Sequence, residues 1–533
     1  MLRRHRLHRH IPACDSSQTN SLLRAAAVWT ALGLSPCWIG CASDDSATEE
    51  SPSTAAETKE TKKDDKPAAT GELSKTIVTS AGPIVGEEAE DSGKRILVFR
   101  GVPYAAPPTG DLRWKPPQPL KAWTSPRETK VWGDRCPQGE STLSSPGSMS
   151  EDCLNLNVLT PAKKADEKLP VMVFFHGGGL SVGTGNSPTY CHTALPAQGV
   201  VVVTVNSRLN AFGYFSHPAL AKESENNSSG NQGTLDLIAS LQWVKENAAK
   251  FGGDPGNVTI FGESGGGSKV LSCMASPLAK GLFHRAIIES GSRSSAENGT
   301  TPRANAEEAG KRVAAKLGIA EDADVAKELR AKSWEDILAA SSAMDVMFAA
   351  NLSVDGWVLP QSVHEAFAQG KQSDVPLIVG ANEGEVGEFK GTVPTLAASM
   401  KSVKSKAYVY NFVHLPEGWR KDGCYAFHGL ELPYVFGHME GVMTATIVYL
   451  GSMAQCDPMK DPKVSDVDRT VASNTMKVWT QFAKTGNPTV SGLIDWPAFT
   501  EESDKYLEIG AELKVKSGVA ASAKMPGAGP LTP

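Results

Sequence analysis

Basic clusters are what this chain of 533 residues most lacks. Lysine and arginine number 53 against 59 aspartate and glutamate, a formal net charge of −6, and no cationic stripe occurs outside the extreme N-terminus. Without such a stripe there is no counterion release to drive contact with a polyanion, so nucleic-acid binding has no support. Cysteine is sparse too, with nine residues. That is too few for a disulfide scaffold, yet enough for a couple of bridges in an oxidising compartment. No CxxC and no His/Cys ligand spacing is present, so nothing calls for a metal or another cofactor. What remains is ordinary globular composition, 40% hydrophobic and 21% charged. The length exceeds the usual ~250–300-residue limit of one core, a limit that large α/β enzymes pass.

The first forty residues read as an address. Arg3, Arg4, Arg6, Arg9 and Arg24 form a positive head, an apolar run from Ala25 to Gly40 follows, and small residues surround Cys41. This order describes a secretory signal. Pro36 and the shortness of the run argue against a spanning helix. The end of the segment also resembles a bacterial lipoprotein signal, with Trp38 where Leu is usual, which makes Cys41 a candidate lipidation site and membrane tether. Residues 41–73 are Ser, Thr, Ala, Glu, Lys and Asp with almost nothing apolar. Such a stretch buries too little surface to offset its ordering entropy, so it is expected to be a disordered tether. The folded body is expected at 74–513 and a flexible tail at 514–533. The location implied is periplasmic, outer-membrane lipoprotein or extracellular.

Through the body, apolar strand-like runs alternate with helical periodicity. Leu169–Phe175 and Val200–Asn206 are apolar and β-branched, as buried parallel strands are. Leu237, Leu241, Val244 and Ala248 recur at helical spacing. The alternation predicts an α/β fold, a doubly wound sheet in one large domain.

Two glycine-rich motifs carry the chemistry. Val258–Phe261 reads as a strand, and Gly262-Glu263-Ser264-Gly265-Gly266 follows it at once, ahead of the helix-compatible run Ser268–Ala275. A G-x-S-x-G between strand and helix predicts a nucleophile elbow, because residues without Cβ let a strained turn close and expose the Ser264 hydroxyl near helix N-terminal amides. Upstream, His176-Gly177-Gly178-Gly179-Leu180 follows the Leu169–Phe175 strand and offers N–H groups to an oxyanion. Each motif alone could be a plain glycine-rich turn; their order is that of an α/β-hydrolase.

With these residues in view, the chain resembles the type-B carboxylesterase and cholinesterase family. Gly101-Val102-Pro103-Tyr104-Ala105, Leu112-Arg113-Trp114, Glu151-Asp152-Cys153-Leu154-Asn155-Leu156-Asn157 and Asn231-Gln232-Gly233 with Asp236 match successive family blocks, with Asn155 where Tyr is commoner. The resemblance implies an α/β-hydrolase fold and a serine carboxylesterase acting on a small-molecule ester, with no protein partner called for. It implies a triad of Ser264, Glu385 and His428, with Glu383 as the alternative acid two residues earlier. It implies oxyanion amides from Gly178, Gly179 and Gly265, the last standing where Ala is usual, and a disulfide between Cys136 and Cys153. Cys424 and Cys456 are a further candidate pair; Cys191 and Cys273 are expected as buried free thiols.

The departures matter as well. The segment between Cys136 and Cys153 has no aromatic residue, and Leu180 stands where cholinesterases have an aromatic, so choline specificity is not expected. Glu385 and His428 are 43 positions apart, about half the family's usual spacing, which predicts a reduced helical cap and a wider pocket. Two other readings stay open on sequence alone: a catalytically inactive adhesion relative, and a hydrolase of amides, carbamates or lactones, since acyl transfer from serine is common to all of these.

Overall fold

Strand β7 shows how the sheet is built. Along Leu169–Phe175, Val171, Val173 and Phe175 enter one core cluster while Met172 and Phe174 enter another, the period-2 division of a strand buried on both faces. The computed structural model describes residues 71–139, 148–292, 294–295, 299–342, 351–385, 388–420, 424–439 and 461–519. The signal, Cys41 and residues 41–70 of the expected tether lie outside the described residues; Leu73, expected at the tether's end, is instead buried in the core, where its amide donates to the Lys163 carbonyl.

In chain order the strands are β1 (Thr76–Val78), β2 (Pro83–Val85), β3 (Glu87–Asp91), β4 (Lys94–Pro103), β5 (Arg127–Glu128), β6 (Asn155–Thr160), β7 (Leu169–Phe175), β8 (Val201–Val205), β9 (Gly253–Glu263), β10 (Arg285–Glu289), β11 (Leu377–Asn382), β12 (Ala407–Phe412), β13 (Lys505–Ile509) and β14 (Leu513–Ser517). Three of them, β1, β2 and β5, form a small separate sheet. The other eleven form one sheet in the order β14-β13-β12-β11-β10-β9-β7-β8-β6-β4-β3. Pairing is parallel from β8 through β7, β9, β10, β11 and β12 to β13, and antiparallel at both edges.

Helices cover both faces. Leu237, Leu241 and Val244 of the helix Gln232–Asn247 pack on one. Val471, Val478, Trp479 and Phe482 of the helix Asp466–Thr485 pack on the other. The second helix starts at a capping box in which Ser465 and Asp468 satisfy each other's backbone amides. This is the doubly wound architecture expected.

Two boundaries differ from expectation. The strand before the elbow runs from Gly253, not Val258, because it also pairs with Leu169 at the start of β7. At the C-terminus, β14 pairs antiparallel with β13 over residues 513–517, and Val519 is buried. The flexible tail expected from residue 514 therefore gives way to an edge strand, which alternating Lys514, Val515 and Lys516 support.

Candidate active site

The strand β9 ends at Glu263 and a helix begins at Gly265, which leaves Ser264 alone to make the turn. Its backbone sits at φ 58° and ψ −120°, a conformation that costs a non-glycine residue on the order of 1–3 kcal/mol. The surroundings hold it there: the Ser264 amide donates to the Glu289 carbonyl on β10 at 2.9 Å. A Cβ on Gly266 would overlap the Phe175 carbonyl oxygen, so the helix can cross the end of β7 this closely only with glycine at that position.

His428 and the carboxylates come to the same place from the ends of other strands. His428 Nδ1 bonds Glu385 Oε1. The other Glu385 oxygen accepts from Ser290 Oγ at 2.7 Å and from the Asn382 amide at 2.7 Å, which fixes the carboxylate. Glu383 makes no such contact: its carbonyl accepts from Lys390 Nζ at 3.0 Å. His428 Nε2 lies 3.1 Å from Glu263 Oε1. No hydrogen bond joins it to Ser264 Oγ among the described residues, although both residues line one cavity.

That cavity is about 70 Å³ and is bounded by His176, Gly177, Gly178, Tyr190, Ser264 and His428 among others. Gly178 faces it. Gly179 and Gly265 lie against each other beside it, since a Cβ on Gly265 would stand 2.5 Å from the Gly179 nitrogen. Glycine at position 265 thus lets the glycine-rich loop close tightly on the helix. Between β11 and β12 the described residues form the short helices Glu388–Gly391 and Val393–Ser399 and a 3₁₀ turn, and Phe389 places its ring centroid 4.3 Å from that of the His428 imidazole.

Several buried carboxylates surround the imidazole. Burial opposes charge on His428, but Glu263 and Glu385 outweigh it and lift the ring to about 10. Burial pushes Glu263 up to about 7, against the pull of His428. Burial likewise lifts Glu289 to about 8 despite a 2.6 Å bond from Trp479 Nε1, and Glu431, bonded by Asn382 Nδ2, well above the carboxylate range. Sequence reading missed Glu263, Ser290 and Glu289 as parts of the site. Only Glu263 had a visible signal, its place directly before the elbow serine.

Elsewhere, Cys136 and Cys153 are joined with Cα atoms 5.0 Å apart, and Cys191 and Cys273 are buried free thiols. Cys424 is disulfide-bonded; Cys456 lies outside the described residues. Asp236 makes a two-pronged pair with Arg208, at 2.7 and 2.9 Å, beneath the loop after β8. Among the described residues no cluster fit to hold a metal occurs, and no helix is long and apolar enough to cross a membrane.

Comparison with known proteins gives the family. The profile described as "Carboxylesterase family" matches residues 73–395 and 388–524. The para-nitrobenzyl esterase of Bacillus subtilis (strain 168) is 32% identical over 499 residues, 83% of this chain and 96% of the relative. The fumonisin B1 esterase of Sphingopyxis macrogoltabida is 30% identical over 504 residues, 83% of this chain and 88% of the relative. Among solved structures, the carboxylesterase of Geobacillus stearothermophilus superposes with a TM-score of 0.70 at 29% identity, over 84% of this chain and 100% of that one.

Proposed function

We propose, from the premise that the chain belongs to the carboxylesterase family and is a serine carboxylic-ester hydrolase of the α/β-hydrolase fold, that Ser264, His428 and Glu385 perform the reaction. The observation that carries the assignment is that the elbow serine and an imidazole already bonded to a buried carboxylate line one small cavity.

Ser264 Oγ attacks the ester carbonyl carbon as His428 Nε2 takes its proton. The carbonyl oxygen becomes an oxyanion beside the amides of Gly178, Gly179 and Gly265. The bond to the alcohol oxygen breaks, and His428 returns the proton to that oxygen. Water then attacks the acyl-serine by the same route and releases the acid. Glu385 holds the ring tautomer with Nδ1 protonated and stabilises the imidazolium. Catalysis requires Nε2 to turn from Glu263 toward Ser264; the two acceptors are chain neighbours, and such contacts often tighten only when substrate is bound. The substrate is a carboxylic ester. Residues 1–40 act as the export signal, with Cys41 as the lipidation site, and the bridge between Cys136 and Cys153 suits an oxidising compartment.

A panel of p-nitrophenyl esters and matched anilides, with Ser264→Ala in parallel, tests the reading. Turnover of esters that Ser264→Ala lowers by ~10³-fold or more, together with fluorophosphonate labelling lost in the variant, is the expected result. Ester turnover undiminished in Ser264→Ala would end it, and wild-type chain that neither turns over esters nor labels would favour the adhesion reading.

A further inference from the structure

Among the described residues, the fully buried amine of Lys269 has two acceptors and no anion as partner. Lys269, five positions after Ser264 on the helix Gly265–Ala275, has no exposed surface. Its Nζ lies 3.2 Å from His176 Nε2 and 3.1 Å from the His176 carbonyl oxygen. His176 Nδ1 lies 2.8 Å from the Gly177 carbonyl oxygen. A carbonyl only accepts, so Nδ1 carries the ring proton and Nε2 turns its lone pair to Lys269. Two acceptors match the two N–H bonds of a neutral amine. An ammonium would bring a third N–H with no acceptor among the described residues, a costly arrangement in the interior.

The charged groups on the neighbouring elements are engaged elsewhere. On β9, Glu263 faces His428 and Asp254 is partly exposed. On β10, Glu289 binds Trp479 and Arg285 binds Asn257. On the helix Gln232–Asn247, Asp236 binds Arg208, and Lys245 and Glu246 are exposed. On the helix Val363–Ala368, His364 meets the Ser294 carbonyl and Glu365 caps its own helix. Burial alone therefore sets the amine, and lowers it to about 7. Burial, followed by Lys269, holds the His176 ring well below its ordinary value.

We propose that Lys269 is a positioning residue for the oxyanion loop: as a neutral amine it holds the ring and carbonyl of His176, and through them the Gly177–Gly178 turn that faces Ser264. The inference rests on the triad assignment above and adds a second group that must be deprotonated for full turnover. Protonating Lys269 breaks the match of donors to acceptors and loosens the loop, so the transition state loses more than the bound ester does.

The test is the pH dependence of p-nitrophenyl butyrate hydrolysis by Lys269→Met and Lys269→Gln, from about pH 5.5 to 9, with folding followed by circular dichroism. Lys269→Met should lower kcat about tenfold or more while KM stays within about threefold, the pattern of a donor lost to the transition state. The acid limb of log kcat should drop from a slope of about 2 to about 1, and Lys269→Gln, which keeps two N–H donors, should recover part of the rate. A folded Lys269→Met with wild-type kcat, or with the wild-type slope, overturns the proposal. Should neither variant fold, ε-carbon NMR of the wild-type chain decides: a buried lysine titrating below about pH 8 supports it, and lysines that all titrate above about pH 9 overturn it. Ser264→Ala run alongside separates the two readings. If it abolishes activity while Lys269→Met does not alter it, only the lysine role falls; if it leaves activity intact, the triad and this inference fall together.

Discussion

Glu263 Oε1 stands 3.1 Å from His428 Nε2, the nitrogen that must accept the proton of the adjacent Ser264. The resting site thus holds its base between two carboxylates, one at each ring nitrogen. Glu385 at Nδ1 keeps the imidazole oriented; Glu263 at Nε2 stabilises the protonated ring.

Removing the second charge should make the enzyme work in more acid solution. Both carboxylates raise the His428 pKa, so charge lost from position 263 lowers it. The imidazole then becomes neutral, and able to act as base, at lower pH. For Glu263→Gln the acid limb of the kcat/KM profile should move down by about one pH unit or more, the usual size of a close charge effect. An acid limb that stays in place or moves up would show that Glu263 does not act on the base.

The two glutamates of the Asn382–Glu385 turn should differ sharply. Glu385→Gln keeps the shape but leaves an amide against Ser290 Oγ and the Asn382 amide, and it loses the anion at Nδ1. Its kcat should fall by on the order of 10³–10⁴-fold. Glu383→Gln should stay within about threefold of wild type, because the bond from Lys390 Nζ goes to the Glu383 backbone carbonyl, which the substitution leaves in place. Equal losses would point to folding, and a larger loss at Glu383 would reverse the assignment of the acid.

Phe389, on the short connection between Glu385 and His428, packs its ring against the His428 imidazole. Phe389→Ala should raise kcat/KM for bulky acyl esters relative to acetate by about tenfold, the scale of a few buried methylenes in a pocket. The ratio of p-nitrophenyl octanoate to acetate rates reads this directly. An unchanged ratio would mean that the ring does not limit access.

Gly266→Ala should cost stability rather than specificity. The new Cβ overlaps the Phe175 carbonyl, and two packed backbones must part to admit it. Such overpacking costs about 1–3 kcal/mol, visible as a lower denaturation midpoint at unchanged m-value. A variant of wild-type stability would show that the strand and helix do not cross this tightly.

Much of this was written along the chain. Buried β-branched runs mark parallel strands by their composition alone, so Leu169–Phe175 and Val200–Asn206 could be read as buried strands. The elbow needs only neighbours in sequence, one serine between glycines at a strand–helix junction, and Ser264 was legible for that reason. The lysine-flanked edge strand at 513–517 was not, because an edge strand takes its partner from β13 and not from its own pattern.

The local chain, then, determined the strands, the elbow and the glycine run, since each depends on periodicity or on steric freedom within a few residues. Tertiary structure alone decided which glutamate meets His428, that Glu263 occupies its other nitrogen, that Phe389 covers it, and that Lys269 lies against His176. Those pairings join residues from separate strand ends and helices. Their electrostatics come from burial, a property of the assembled sheet and not of any segment.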